Sequence, residues 1–262
     1  DALEIEHGFD CVNSAYKGQS GEKFKSVLNN LHPGFCGELE ESFNKWLPYF
    51  RNDTYLTCIS EHHGSEDTIG RLSMWRAYGG NSGVAIVVNG AAFTQESSAL
   101  ATYTSPVSYL SRDQFARHLG QIASAMEASN ELLSTLPKDD LMGHIFHMLR
   151  FSVLCTKHPG FHEEREWRLI HCPTFEKSER MIRSVETIRG TPQIVYKLPL
   201  QNAPEENLTG IDIPEFIDRI IIGPTLYPEA THAAFILLLH EAGVQNPHSK
   251  VFMSDVPLRV AV

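Results

Sequence analysis

The strand-forming runs in this chain are short, and the helical stretches fall between them without a regular rhythm. YLTCIS (55–60), SGVAIVVNG (82–90) and DRIIIGP (218–224) each concentrate β-branched or aromatic residues over a few positions bounded by turn formers. WRLIHCP, RSVETIRGTPQIVYKLPL and the closing KVFMSDVPLRV read as further strands, and TSPVSYL as a hairpin strand. Elsewhere apolar residues recur at helical spacing. Residues 22–48 are expected to form two short helices broken at Pro33-Gly34, and RLSMWRAYGG a short helix stopped by Gly79-Gly80. Two longer amphipathic helices are expected over 112–136 and 139–157, separated by Pro137, and another over 231–244, ending at Gly243 with its FILLL run buried. A doubly wound fold needs strand and helix to alternate evenly, and this order does not. The expected class is α+β: a central mixed or antiparallel sheet with flanking helices and a helical insertion at about 112–157.

At 262 residues one large domain, 1–262, is expected, with ample length for a core. DALEIEHGFDCV opens without an initiator methionine, and a segment preceding residue 1 is expected. The formal charge of -10 argues against a chain-wide surface for nucleic acid or anionic lipid. No apolar run approaches the roughly 20 residues that span a bilayer, so no membrane contact is expected. The five cysteines are scattered without CxxC pairing and read as buried, reduced thiols of a cytoplasmic protein.

FHEEREWRLI, residues 161–170, is the sharpest local anomaly. If it is a strand throughout, Glu164, Glu166 and Arg168 share one face, with Trp167 and Leu169 turned to the core. Two adjacent carboxylates repel unless a function uses them or cations neutralise them. The neutral alternative pairs Glu166 with Arg168, or Glu164 with Lys157, at modest net energy.

SMWRAYGG (73–80) sets Trp75 and Tyr78 three apart, a shared face on an α-helix. Such aromatics are core residues or the wall of a pocket that stacks on a planar ring, with Arg76 placed to bind a phosphate. The 13 histidines include His62-His63 and His144 with His147, but no third ligand accompanies either pair, and no metal is expected from them. No phosphate-binding loop, dinucleotide fingerprint, HExxH or nucleophile elbow is present.

YLTCISE, SMWRAYGGNSGVAIVV, KHPGFHEEREWRLI, DRIIIGPT and VPLR, in that order, resemble the bacterial domain of unknown function 2971 family, whose name assigns no activity. A second resemblance is to the three-part layout of ADP-ribosyltransferases. It implies an NAD-consuming enzyme, an ADP-ribosyltransferase or NAD glycohydrolase acting as a toxin or antiphage defence effector. Its first strand would precede residue 1. By that resemblance Glu166 is the catalytic carboxylate and stabilises the oxocarbenium-like ribose, while Glu164 orients a protein or nucleic-acid acceptor. Ser60 would line the nicotinamide pocket, Trp75 or Tyr78 would stack on a ring, and Arg76 and Arg168 would complete the NAD-binding set. Two other classes stay open. One is a non-catalytic nucleotide- or protein-binding module; the other is a metal-dependent nuclease or hydrolase using Asp1, Glu4, Glu164 and Glu166.

Overall fold

The computed structural model describes residues 2–80, 82–93, 95 and 97–257. Asp1, the side chain of Glu4 and the end of the expected closing strand, from Leu258 onward, lie outside the described residues. In chain order the helices and strands are α1 (Ala2–Lys17), α2 (Gln19–Leu31), α3 (Phe35–Asn52), β1 (Tyr55–Ser60), α4 (Leu72–Met74) and β2 (Val84–Val88). There follow β3 (Thr102–Pro106), β4 (Ser108–Tyr109), α5 (Arg112–Ala128), α6 (Asn130–Leu133), α7 (Lys138–Leu154), β5 (Thr156–Lys157) and β6 (Glu166–His171). The rest are β7 (Ile182–Ile188), β8 (Thr191–Lys197), α8 (Ile213–Phe216), β9 (Ile217–Ile222), α9 (Pro228–Glu241) and β10 (Val251–Met253). The class is α+β, with the strands among the described residues distributed over four small sheets.

The chain divides into two compact units, Asp1–Ile59 with Ser105–Glu176, and Ser60–Thr104 with Lys177–Val262. The first is mainly helical. The two helices expected at 22–48 form as α2 and α3, broken at Pro33-Gly34, where Gly34 takes a left-handed φ of 81°. The stretch expected as an insertion is integral to this unit: α5 packs on α1 and α2, and α7 packs on α1 and α3. Between α3 and α7 an aromatic cluster forms from Phe43, Trp46, Phe50 and Phe146, which Phe175 closes by stacking on Phe146 at 6.2 Å. Beyond the helices, β6 is the middle strand of the sheet β1-β6-β3, and β4 pairs in parallel with β5, setting Tyr109 beside Lys157.

The second unit is built on the sheet β10-β9-β2. Its centre, β9, is the DRIIIGP run; Ile220, Ile221 and Ile222 are all buried, paired in parallel with β10 and antiparallel to β2. The inner face of α9 seals one side, with Phe235, Ile236 and Leu239 against Ile220, Ile222, Val244 and Val251. A separate hairpin joins β7 to β8 through Arg189-Gly190, with φ of 50° and 82°. Positive φ at both central residues is the geometry whose twist matches a two-residue β-hairpin.

Candidate functional site

The charged stretch singled out in the sequence folds as a turn followed by a strand. After β5, Pro159–Glu164 winds as a 3-10 helix whose start is capped by His158, its Nδ1 accepting the Gly160 N–H at 3.1 Å. The helix ends at Arg165, in the left-handed conformation (φ 45°, ψ 51°), and β6 begins at Glu166. Glu164 therefore does not lie on the strand, and the expected common face of Glu164, Glu166 and Arg168 does not form. The left-handed residue reverses the alternation, and the two carboxylates converge instead on a single ammonium.

That ammonium is Lys157. Its Nζ donates to Glu164 Oε2 at 2.5 Å and to Glu166 Oε2 at 3.1 Å. On the other side of Glu166, Arg168 Nε donates to Oε1 at 2.7 Å while its Nη1 reaches the Leu154 carbonyl at 2.5 Å. The Glu166 backbone N–H donates to the Tyr109 hydroxyl at 2.8 Å, and the Cys58 thiol on neighbouring β1 bonds the Glu166 carboxylate. Glu166 is 5% exposed and Arg168 fully buried. Burial alone would raise the Glu166 pKa. The hydrogen bonds from Arg168 and Cys58, the guanidinium charge and the Lys157 ammonium outweigh it and hold the carboxyl at about 2.

The charged face of β6 is thus an interior face, and Trp167, expected in the core, is only partly buried. Two cations and two carboxylates sum to zero charge, which is the neutralised alternative read from the sequence. Both oxygens of Glu166 are engaged by cations, so a substrate ribose would have to displace a charge-assisted bond to reach them. What the quartet fixes is the 3-10 turn, and that turn displays Phe161. Its ring lies 4.8 Å from the Lys157 ammonium, while the residue stays 48% exposed. Phe161, Tyr109 and Cys58 were not singled out from the sequence. Only the Pro159-Gly160 turn signal beside Phe161 could have marked it as displayed.

The remaining sequence candidates fall in the second unit. Ser60 is the exposed last residue of β1; the β1 side chain that reaches Glu166 is Cys58. Cys58 is also exposed, against the expectation of five buried thiols; the other four are buried, and none of the five is in a disulfide. RLSMWRAYGG gives α4 and then a π-helical turn, Trp75–Gly79. The wider winding of the π turn undoes the shared face expected for residues three apart: Trp75 is buried and Tyr78 is exposed. Trp75 is a latch. Its Nε1 donates to the Ile69 carbonyl at 2.9 Å, and the indole is seated on glycines; a Cβ at Gly70 would come within 2.5 Å of Trp75 Cζ2, and one at Gly223 within 2.8 Å of Cε3. Arg76 and Tyr78 are both exposed, but two residues apart on a helical turn they do not face one another. The turn does not bring them together as a ring stack with a phosphate clamp.

Among the described residues no group of three or more His, Cys, Asp or Glu side chains could hold a metal ion. His147 packs edge-on to Phe175 at 5.4 Å, and burial, followed by the charges of Arg150 and His144, lowers its pKa. His62 pairs with Asp67 at 3.0 Å. Among the described residues no helix is long and apolar enough to cross a membrane.

Residues 74–169 match the model of a family described as protein of unknown function (DUF2971). The match opens one residue before Trp75 and closes one residue after Arg168, so the latch turn and the charge quartet stand at its two ends. No curated protein and no solved structure matches the chain.

Proposed function

We propose that this protein is a non-catalytic binding module for a nucleotide, received on the turn 158–165 with its base against Phe161. The observation that carries this reading is what the buried quartet positions. Burying Lys157, Glu166 and Arg168, with Glu164 partly buried beside them, costs desolvation that their attraction only partly returns, so such networks are better explained by the geometry they impose than by net stability. The geometry imposed here is an exposed aromatic ring on a fixed turn, a surface on which any base can stack. Titration with NAD and with ADP, followed by calorimetry, tests it. Saturable binding should weaken at least tenfold in Phe161→Ala, with no nicotinamide released from NAD. Absence of saturable binding, or binding indifferent to Phe161→Ala, overturns the reading.

A second reading, the NAD-consuming ADP-ribosyltransferase-like enzyme, is favoured by one feature. Glu166 is held ionised at the start of β6, beside a side chain from the neighbouring strand, and a permanently charged fixed carboxylate is what an oxocarbenium-like transition state requires. A bacterial toxin or defence role, and a protein or nucleic-acid acceptor, belong to this reading. Nicotinamide release that vanishes in a folded Glu166→Gln chain would support it and displace the first.

A further inference from the structure

From the open edge of the hairpin β7–β8, we infer that two copies of this protein pair antiparallel along β7, strand to strand, into a four-stranded sheet. Among the described residues the hairpin is a sheet of its own, and β7 pairs with β8 alone. The register of the hairpin decides which backbone groups are left over. Ile188 faces Thr191 across the two-residue loop, so that pair carries the closing ladder bonds, and every second pair after it does the same. Pro192, facing Thr187, agrees with this parity, because a residue without an N–H belongs where the backbone points outward. The N–H and C=O groups of Arg183, Val185 and Thr187 therefore point away from β8. The outward edge of β8 is interrupted at Pro192, whereas that of β7 holds neither proline nor bulge.

The side chains of β7 specify a second copy of β7 as the strand that fits this edge. Ile182-Arg183-Ser184-Val185-Glu186-Thr187-Ile188 reads apolar, polar, polar, apolar, polar, polar, apolar in either direction. A two-fold axis at Val185 sets Val185 against the partner's Val185, Arg183 against the partner's Thr187, Ser184 against the partner's Glu186 and Ile182 against the partner's Ile188. Outward residues meet outward residues in this register, so each of their pairs exchanges both backbone bonds. On one face Val185 and its hairpin neighbour Ile194, 68% and 42% exposed, join the partner's pair in an apolar row across all four strands. On the other face Ile182 and Ile188, 56% and 43% exposed, cover one another twice. No like charges stand directly opposite. The two Glu186 carboxylates are diagonal neighbours, and each is paired with its own Lys197 at 2.5 Å. The adjacent registers that keep the bonding parity are worse. One opposes Glu186 to itself and Arg183 to Arg189, and the other sets Ile182 against Glu186. The FILLL run of α9, expected to be buried, also leaves Leu237 and Leu238 exposed, but no strand edge there dictates a register.

Light scattering of the full 262-residue protein across micromolar concentrations reads the mass directly. The expected result is a dimer. Val185→Pro should convert it to monomer with the melting temperature held, because the lost N–H points outward and the β7–β8 ladder keeps its bonds. Val185→Cys places two thiols opposite one another at the axis, with Cα atoms about 5.5 Å apart, within disulfide range. On oxidation it should cross-link roughly tenfold faster than Thr187→Cys, whose two copies lie four residues out of register. The exposed Cys58 is common to both chains, and this readout does not depend on the proline variant folding. A monomer at every concentration, a dimer that survives in folded Val185→Pro, or Val185→Cys cross-linking no faster than Thr187→Cys overturns the inference.

Discussion

Arg168 donates to Glu166 at 2.7 Å from two residues along the same strand, with the guanidinium fully buried and the carboxylate nearly so. The pair is buried, and Glu166 also accepts from Lys157, so the carboxylate is held between two cations.

Replacing Glu166 by Gln should therefore destabilise the protein strongly. It leaves Lys157 and Arg168 with one carboxylate between them, and an uncompensated buried charge costs about 3–5 kcal/mol. Urea unfolding of Glu166→Gln should show a loss of that order. Adding Lys157→Met should recover part of it, because the count of positive charges then matches again; a double variant less stable than the sum of the two singles would contradict the quartet.

Acid should act through the same carboxyl. The folded pKa of Glu166 is depressed from its ordinary 4.5 to about 2. A depressed carboxyl contributes stability that is complete above the unfolded value and disappears as pH falls through the folded one. The contribution should be fully present above about pH 4.5 and lost progressively towards pH 2, a span worth about 3 kcal/mol. Unfolding free energies measured from pH 6 to pH 2 should show this slope in the wild type and a shallower one in Glu166→Gln.

Tyr109→Phe isolates a neutral element of the site. The hydroxyl accepts the Glu166 N–H where β6 begins, and its removal leaves a buried backbone donor without that acceptor. A loss of about 1–2 kcal/mol is expected, with amide exchange at Glu166 accelerated relative to Ile170, which lies deeper in the same strand. Equal protection at both positions in the variant would count against the contact.

Gly70→Ala tests the latch of the second unit. The added methyl meets the Trp75 ring at 2.5 Å, at a backbone φ of 68° that an L side chain rarely adopts. The expected penalty is about 2–4 kcal/mol, combining overpacking with backbone strain. Near-ultraviolet circular dichroism should report the indole leaving its seat; an unchanged spectrum at unchanged stability would refute the socket.

Element types were legible in the sequence wherever one period dominated. The pair α2 and α3, the helix α7, the β9 run of isoleucines and the closing β10 all follow from local pattern. The site was legible only in part. Glu166, Arg168, Glu164 and Lys157 could be named as partners because opposite charges sit at short spacing, but two features defeated the reading of their orientation. Arg165 adopts a left-handed conformation that nothing in its residue type announces, and it moves Glu164 off the strand. The face of β6 opposite the one expected in the core is buried too, because the strand is covered by elements distant in sequence, which periodicity cannot see. Trp75 and Tyr78 failed for a related reason: their spacing was read on an α-helix, and the glycine-rich end of that segment winds as a π turn. Tyr109 and Cys58 reach Glu166 through strand neighbours 50 to 110 residues away in the chain, a relation only the fold supplies.

The pairing of opposite charges in the quartet has a consequence for how this chain can drift. A single change from charged to neutral at Lys157, Glu164, Glu166 or Arg168 strands an opposite charge in the interior, whereas a matched change of one cation and one carboxylate does not. The four positions should accordingly vary in couples among relatives, each loss shadowed by a compensating loss across the hydrogen bond, and sequences in which only one of the four has gone should be rare.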